Sequence, residues 1–180
     1  MDGATAMSEF SKDQERFKKL KREEFPDVEN KNLINAATAW VYGKTQVLEP
    51  SRHLEILVTL PMPCQYLIAV NAIDGELNNG GFIQYYFNLS HILTVTGAEA
   101  LSAIGAPRLA EIAKRADLAY LQIKDDLGNF RNRTIDEFPD YDIYPPLNDL
   151  EEEYYAVSEI ERVDDLLIAY IRRHIDCFGD

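Results

Sequence analysis

Apolar residues recur every three or four positions along this chain, and no stretch alternates apolar with polar as a half-buried strand would. Residues 8–24 carry Phe10, Phe17 and Leu20 among charges and stop at Phe25-Pro26. From Asn30, the stripe Leu33, Ile34, Ala37, Trp40 and Val41 predicts a helix ending near Gly43. A short apolar helix follows Pro50 and ends before Leu60-Pro61-Met62-Pro63. Pro63 suits the first position of the next helix, where a backbone N–H would go unpaired anyway. Its stripe is Leu67, Val70, Ile73 and Leu77.

Asn78-Asn79-Gly80-Gly81 interrupts that pattern, and Phe82, Tyr85, Tyr86 and Leu89 restart it. Pro107 opens a long helix with Leu109, Ile112, Ala116, Ala119 and Ile123 facing inward and Gly128 as its stop. Residues 129–147, with Pro139, Pro145 and Pro146, read as a loop. Asn148 or Asp149 is expected to cap a helix reaching about Ser158, and residues 160–177 form the last helix. The fold class is all-α, a single compact multi-helix domain over 30–180 preceded by an N-terminal extension over 1–29. A proline-containing acidic loop precedes the last two helices.

A chain of 180 residues with 46% hydrophobic content buries roughly two-thirds of its unfolded surface and needs no disulfide or metal to fold. Cys64 and Cys177 form no sequence motif and read as reduced, buried thiols. No secretory signal opens the sequence and no apolar run approaches a membrane span, so the expected location is the cytoplasm. The net charge is −13, which repels nucleic acid and anionic membranes and attracts basic proteins. Its distribution is uneven. Residues 125–165 hold 14 acidic and 3 basic side chains, which is −11 of the total.

Most candidate chemistry fails on spacing. Gly43-Lys44-Thr45 resembles the end of a phosphate loop, but Thr38 stands where the first glycine is required. Asp140-Tyr141-Asp142 begins like a calcium loop, but Pro145 occupies the turn glycine's place. His53, His91 and His174 have no metal spacing, and no nucleophile elbow exists. No cofactor and no enzymatic activity are expected. The Asn-Asn-Gly-Gly breaker has only Glu76 as a nearby charge and reads as a tight corner between helices. There Asn79 is expected either to take left-handed geometry or to cap the following helix, while Asn78, Gln84 and Asn88 satisfy buried backbone groups.

The run Glu76-Leu77-Asn78-Asn79-Gly80-Gly81-Phe82-Ile83-Gln84-Tyr85-Tyr86-Phe87-Asn88, followed by Gly97–Pro107, resembles a bacterial DNA-mimic protein family of small acidic helical domains. Where the family commonly continues Asn-Ser-x-Gly, this chain has Asn88-Leu89-Ser90-His91, a change in the next turn. The resemblance implies a helical fold, dimerisation, and binding to a DNA-binding protein such as a helix-turn-helix regulator. In it Asn78, Asn79, Gly80, Gly81, Phe82, Gln84 and Tyr85 form the structural motif.

The charge distribution fits that implication. DNA partners take much of their affinity from phosphates, and one helical turn advances about 5.4 Å. Carboxylates three or four positions apart therefore fall near the spacing of phosphates along a strand. The residues expected to replace phosphates are Asp125, Asp126, Asp136, Glu137, Asp140, Asp142, Asp149, Glu151, Glu152, Glu153, Glu159, Glu161, Asp164 and Asp165. Glu151–Glu153 span most of a helix circumference, so they do not all face one partner. An inhibitor of a basic nuclease would use the same electrostatics, and a small-ligand protein or enzyme would instead use a pocket near Asn78–Gln84.

Overall fold

A computed structural model describes residues 12–45, 52–88, 93–130 and 145–180. The regular elements among these residues are all helices, with no strand. The helices are α1 (Asn30–Thr45), α2 (His53–Leu57), α3 (Met62–Phe87), α4 (Gly97–Ile104), α5 (Pro107–Phe130), α6 (Pro145–Ser158) and α7 (Val163–Arg173). Residues 12–17 add a short helical stretch, and 3-10 turns cover Arg22–Asp27 and Ile175–Cys177. The predicted 8–24 helix is thus shorter in the described residues, because Pro26 and its neighbours adopt the tighter turn. Helix α6 begins at Pro145, not at Asn148 or Asp149, since prolines fit a first turn whose N–H groups have no intrahelical partner. The expected last helix ends at Arg173 and continues only as the 3-10 turn.

The chain forms two compact units, residues up to 68 with 164–180, and residues 69–163. In the first, an aromatic cluster holds the N-terminal turn, α1 and the chain end together. Phe25 lies 6.4 Å from Trp40 and 5.9 Å from Phe178, ring centre to ring centre. Phe25 and Phe178 are fully buried. Arg172 clamps the same turn, donating to the Pro26 carbonyl at 3.0 Å and to Asn30 Oδ1 at 2.9 Å. Cys64 is buried as expected, whereas Cys177 is half-exposed because it sits in the terminal 3-10 turn.

The second unit packs α4 on α5 and α5 on α6. Thr96 caps α4 through a reciprocal box with Glu99, its Oγ1 accepting from the Glu99 amide at 3.1 Å. Gly105 ends that helix with φ 98°, a left-handed value that favours glycine. The core gathers Leu77, Phe82, Tyr85 and Tyr86 from α3 with Leu109, Ile112 and Ala116 from α5 and Leu147, Leu150, Tyr154 and Val157 from α6.

Candidate functional site

The Asn-Asn-Gly-Gly stretch lies inside α3, where two helical segments meet at a kink. Gly80 is extended (φ −173°, ψ 24°) and Gly81 takes φ 74°, ψ −170°. A Cβ on Gly80 would fall 2.2 Å from Oε1 of Gln84, the far end of a flexible side chain. A Cβ on Gly81 would fall 1.7 Å from Oε2 of Glu151, which α6 delivers against the glycine backbone. Close approach and positive φ therefore both select glycine at position 81.

The kink starts a second helical segment within α3, and amides at a helix start have no intrahelical acceptor. Glu151 accepts the Phe82 amide there, supplying the cap expected of Asn79, which is instead exposed. The single Tyr155 hydroxyl hydrogen is shared between the Leu77 carbonyl and the more distant Glu151 Oε1 at 3.2 Å, bridging the two sides of the kink. Burial pushes the Glu151 carboxyl above the ordinary carboxylate range, against these hydrogen bonds, which pull it down.

The amides around the kink do not serve buried backbone groups as a set. Gln84 Nε2 and Asn88 Nδ2 both donate to Glu76 Oε2, at 2.8 and 3.0 Å, so this acid gathers two side-chain donors. Asn78 is exposed and donates to the Asp74 carbonyl at 2.8 Å and to its carboxylate at 3.1 Å. Phe82 packs edge-on to Tyr154 at 5.9 Å. Tyr85 is buried and meets the Gly97 amide. Tyr86 donates to Asp117 Oδ1 at 2.8 Å and stacks on Tyr120 with ring centres 4.3 Å apart. Desolvation raises the Asp117 carboxyl, and the Tyr86 hydrogen bond opposes that rise. These residues form a hydrogen-bonded joint of aromatic, amide and carboxylate side chains; among the described residues no group of three or more His, Cys, Asp or Glu is placed to hold a metal ion.

The acids predicted as phosphate substitutes separate by role. Glu161 accepts the amides of Arg108 and Leu109 at 3.1 and 3.0 Å, capping α5. Ala106, just before that helix, has no side-chain acceptor to offer. Glu153 is exposed but carries Arg115, whose Nη1 donates to both carboxylate oxygens at 2.9 and 2.7 Å. Asp149, Glu152 and Glu159 are exposed, the first two three positions apart on α6 and the third in the turn that follows it. Asp125 is exposed on α5. Asp164 and Asp165 occupy the first turn of α7, where the helix dipole favours negative charge. Asp136, Glu137, Asp140 and Asp142 lie outside the described residues, as does the side chain of Asp126.

Sequence reasoning missed the inward role of Glu151, though a signal was available. Glu151 lies four positions after Leu147 and three before Tyr154, on the edge of the apolar stripe of α6.

The family model for DMP19-like proteins matches residues 59–174, which includes the kink, α4, α5 and α6. The chain belongs to the DMP19-like family. No curated protein and no solved structure matches it significantly. No helix among the described residues is long and apolar enough to cross a membrane.

Proposed function

We propose that this protein is a non-enzymatic DNA mimic that occupies the DNA-reading surface of a transcription regulator of helix-turn-helix type and blocks its binding to DNA. The observation that carries the reading is the set Asp149, Glu152 and Glu159, solvent-exposed carboxylates of which the first two stand three positions apart on α6 and the third in the turn after it. Helical rise puts Asp149 and Glu152 about 4.5 Å apart along the axis, comparable with the roughly 3.4 Å per charge along one DNA strand. Membership of the DMP19-like family supports the same reading.

Asp125 extends the negative field on α5, with Asp126, Asp136, Glu137, Asp140 and Asp142 completing the acidic segment. Asp164 and Asp165 are further contacts. A homodimer would present two such sets related by a two-fold axis, as dimeric regulators present two recognition helices. The net charge of −13 argues against direct nucleic-acid binding and against anionic membranes.

The test is a pull-down from bacterial lysate with the immobilised protein at low salt, eluted first with duplex DNA and then with high salt. A transcription regulator released by DNA supports mimicry. A nuclease released in its place replaces this reading with that of a nuclease inhibitor. Failure of any basic partner to elute with DNA or salt overturns both.

A further inference from the structure

The two cysteines stand 113 residues apart in sequence, yet the Cys64 thiol lies against the Cys177 backbone, Sγ to carbonyl O 3.5 Å. Standard bond lengths then put the Cys177 Cα within about 6 Å of the Cys64 sulfur, so the two residues are near neighbours and only side-chain and small backbone adjustments separate their sulfurs. We propose that Cys64 and Cys177 are a redox pair that closes to an intramolecular disulfide on exposure to a low-molecular-weight disulfide, clasping the C-terminal 3-10 turn to the start of α3.

Their surroundings assign the order of events. Cys177 is half-exposed in the terminal turn, whereas Cys64 is fully buried in the first turn of α3. The attacking sulfur on an external disulfide is therefore Cys177. Its thiolate displaces one glutathione thiolate from glutathione disulfide, breaking that S–S bond and forming a mixed disulfide. The Cys64 thiolate then attacks the Cys177 sulfur and expels the second glutathione thiolate. The two protons lost by the protein thiols go to the two glutathione thiolates, so the protein is oxidised by two electrons and glutathione disulfide is reduced by two. Burial holds the Cys64 thiol up at about 12, with Cys177 adding to the rise. Little Cys64 thiolate is present near neutral pH, so the internal second attack is the slow step, while burial keeps Cys64 from meeting an oxidant in solution.

The bond would fix an end of the chain already seated by neighbouring contacts. Phe178 follows Cys177 directly and is fully buried against Phe25 and Trp40. Gly179 takes φ 91° where a side chain would strike the Arg22 backbone. Closure therefore asks only for the two side chains to meet, not for docking of a distant segment.

The experiment treats the full-length protein with excess glutathione disulfide, then measures intact mass and the linkage by peptide mapping. Wild type is expected to lose two hydrogens and to yield a Cys64–Cys177 linked peptide, reversed by dithiothreitol. Cys64→Ser, which keeps a hydroxyl donor for the Cys177 carbonyl, is expected to stop at the glutathione adduct on Cys177. Cys177→Ser is expected to remain unmodified while its far-ultraviolet circular dichroism is native. Accumulation of the glutathione adduct in wild type, a disulfide between two chains, or two thiols still free after prolonged exposure would each overturn the proposal.

Discussion

Glu151 and Glu152 are consecutive residues with the same carboxylate, yet one is half-buried against the Phe82 amide and the other stands in solvent. The same split recurs between Glu161, which caps α5, and Glu159, two positions earlier, which is exposed. Within α6 the helix advances about 100° per residue, so Glu151 and Glu152 fall on different faces, whereas Glu159 and Glu161 lie in the connection to α7. An acidic segment is thus two populations. The inward carboxylates replace missing caps at helix starts, and the outward ones are available to a partner. Net charge counts both, but only the second population is expected to resemble phosphates.

The largest expected effect is on the inward side. Gly81→Ala forces an L side chain into positive φ and drives a Cβ into the Glu151 carboxylate, expelling the cap. A loss of about 3 kcal/mol or more in chemical denaturation is expected. Gly80→Ala is the matched control. Its backbone is extended and its clash is with the movable end of Gln84, so the loss should stay below about 1 kcal/mol. Equal losses at the two positions would mean that Glu151 does not set the kink.

Next comes the outward set. Asp149→Asn, Glu152→Gln and Glu159→Gln combined should weaken partner binding by about 10- to 100-fold. Thermal stability should change little, since exposed positions away from caps and cores are usually neutral to within about 0.5 kcal/mol each.

Smaller effects refine the inward set. Glu161→Ala leaves the Arg108 and Leu109 amides without their acceptor and should cost about 1 kcal/mol, read by urea denaturation. Glu151→Gln should alter the pH dependence of stability more than its size. The folded Glu151 carboxyl is raised, so its stabilising contribution is complete below the ordinary value of 4.5 and is lost as pH rises through the folded value. Wild type minus Glu151→Gln should therefore decline on that rise, measured by denaturation at a series of pH values. A difference that grows with pH would contradict the assigned environment.

The smallest effect joins the two sets. Arg115→Gln frees the Glu153 carboxylate, and an exposed ion pair of this kind stabilises by about 0.5 kcal/mol or less. Stability should barely move while partner binding tightens slightly, measured by titration calorimetry.

The helices were legible because their apolar stripes are long and several starts and breaks carry Pro and Gly, although Gly128 does not stop α5, which runs on to Phe130. Leu67, Val70, Ile73 and Leu77 mark α3, and all four are buried. The break at Gly80-Gly81 was equally plain. Its cap was not, since Glu151 reaches it from another helix 70 residues later in the chain. Local patterning carries backbone geometry but not which distant side chain meets it. The helix starts at Pro107 and Pro145 show the same limit. Proline signals the start of a helix, but Glu161, acting across the fold, could be assigned as the α5 cap only from the packed structure.

The measurement closest to the central claim is the affinity of the DNA-eluted partner across a salt series, for wild type, for the outward triple variant and for Glu151→Gln. Neutralising Asp149, Glu152 and Glu159 should flatten the salt dependence and weaken binding, while Glu151→Gln leaves both near wild type. Equal affinity and equal salt dependence for wild type and the outward triple variant would contradict the assignment of that set as the phosphate-like surface.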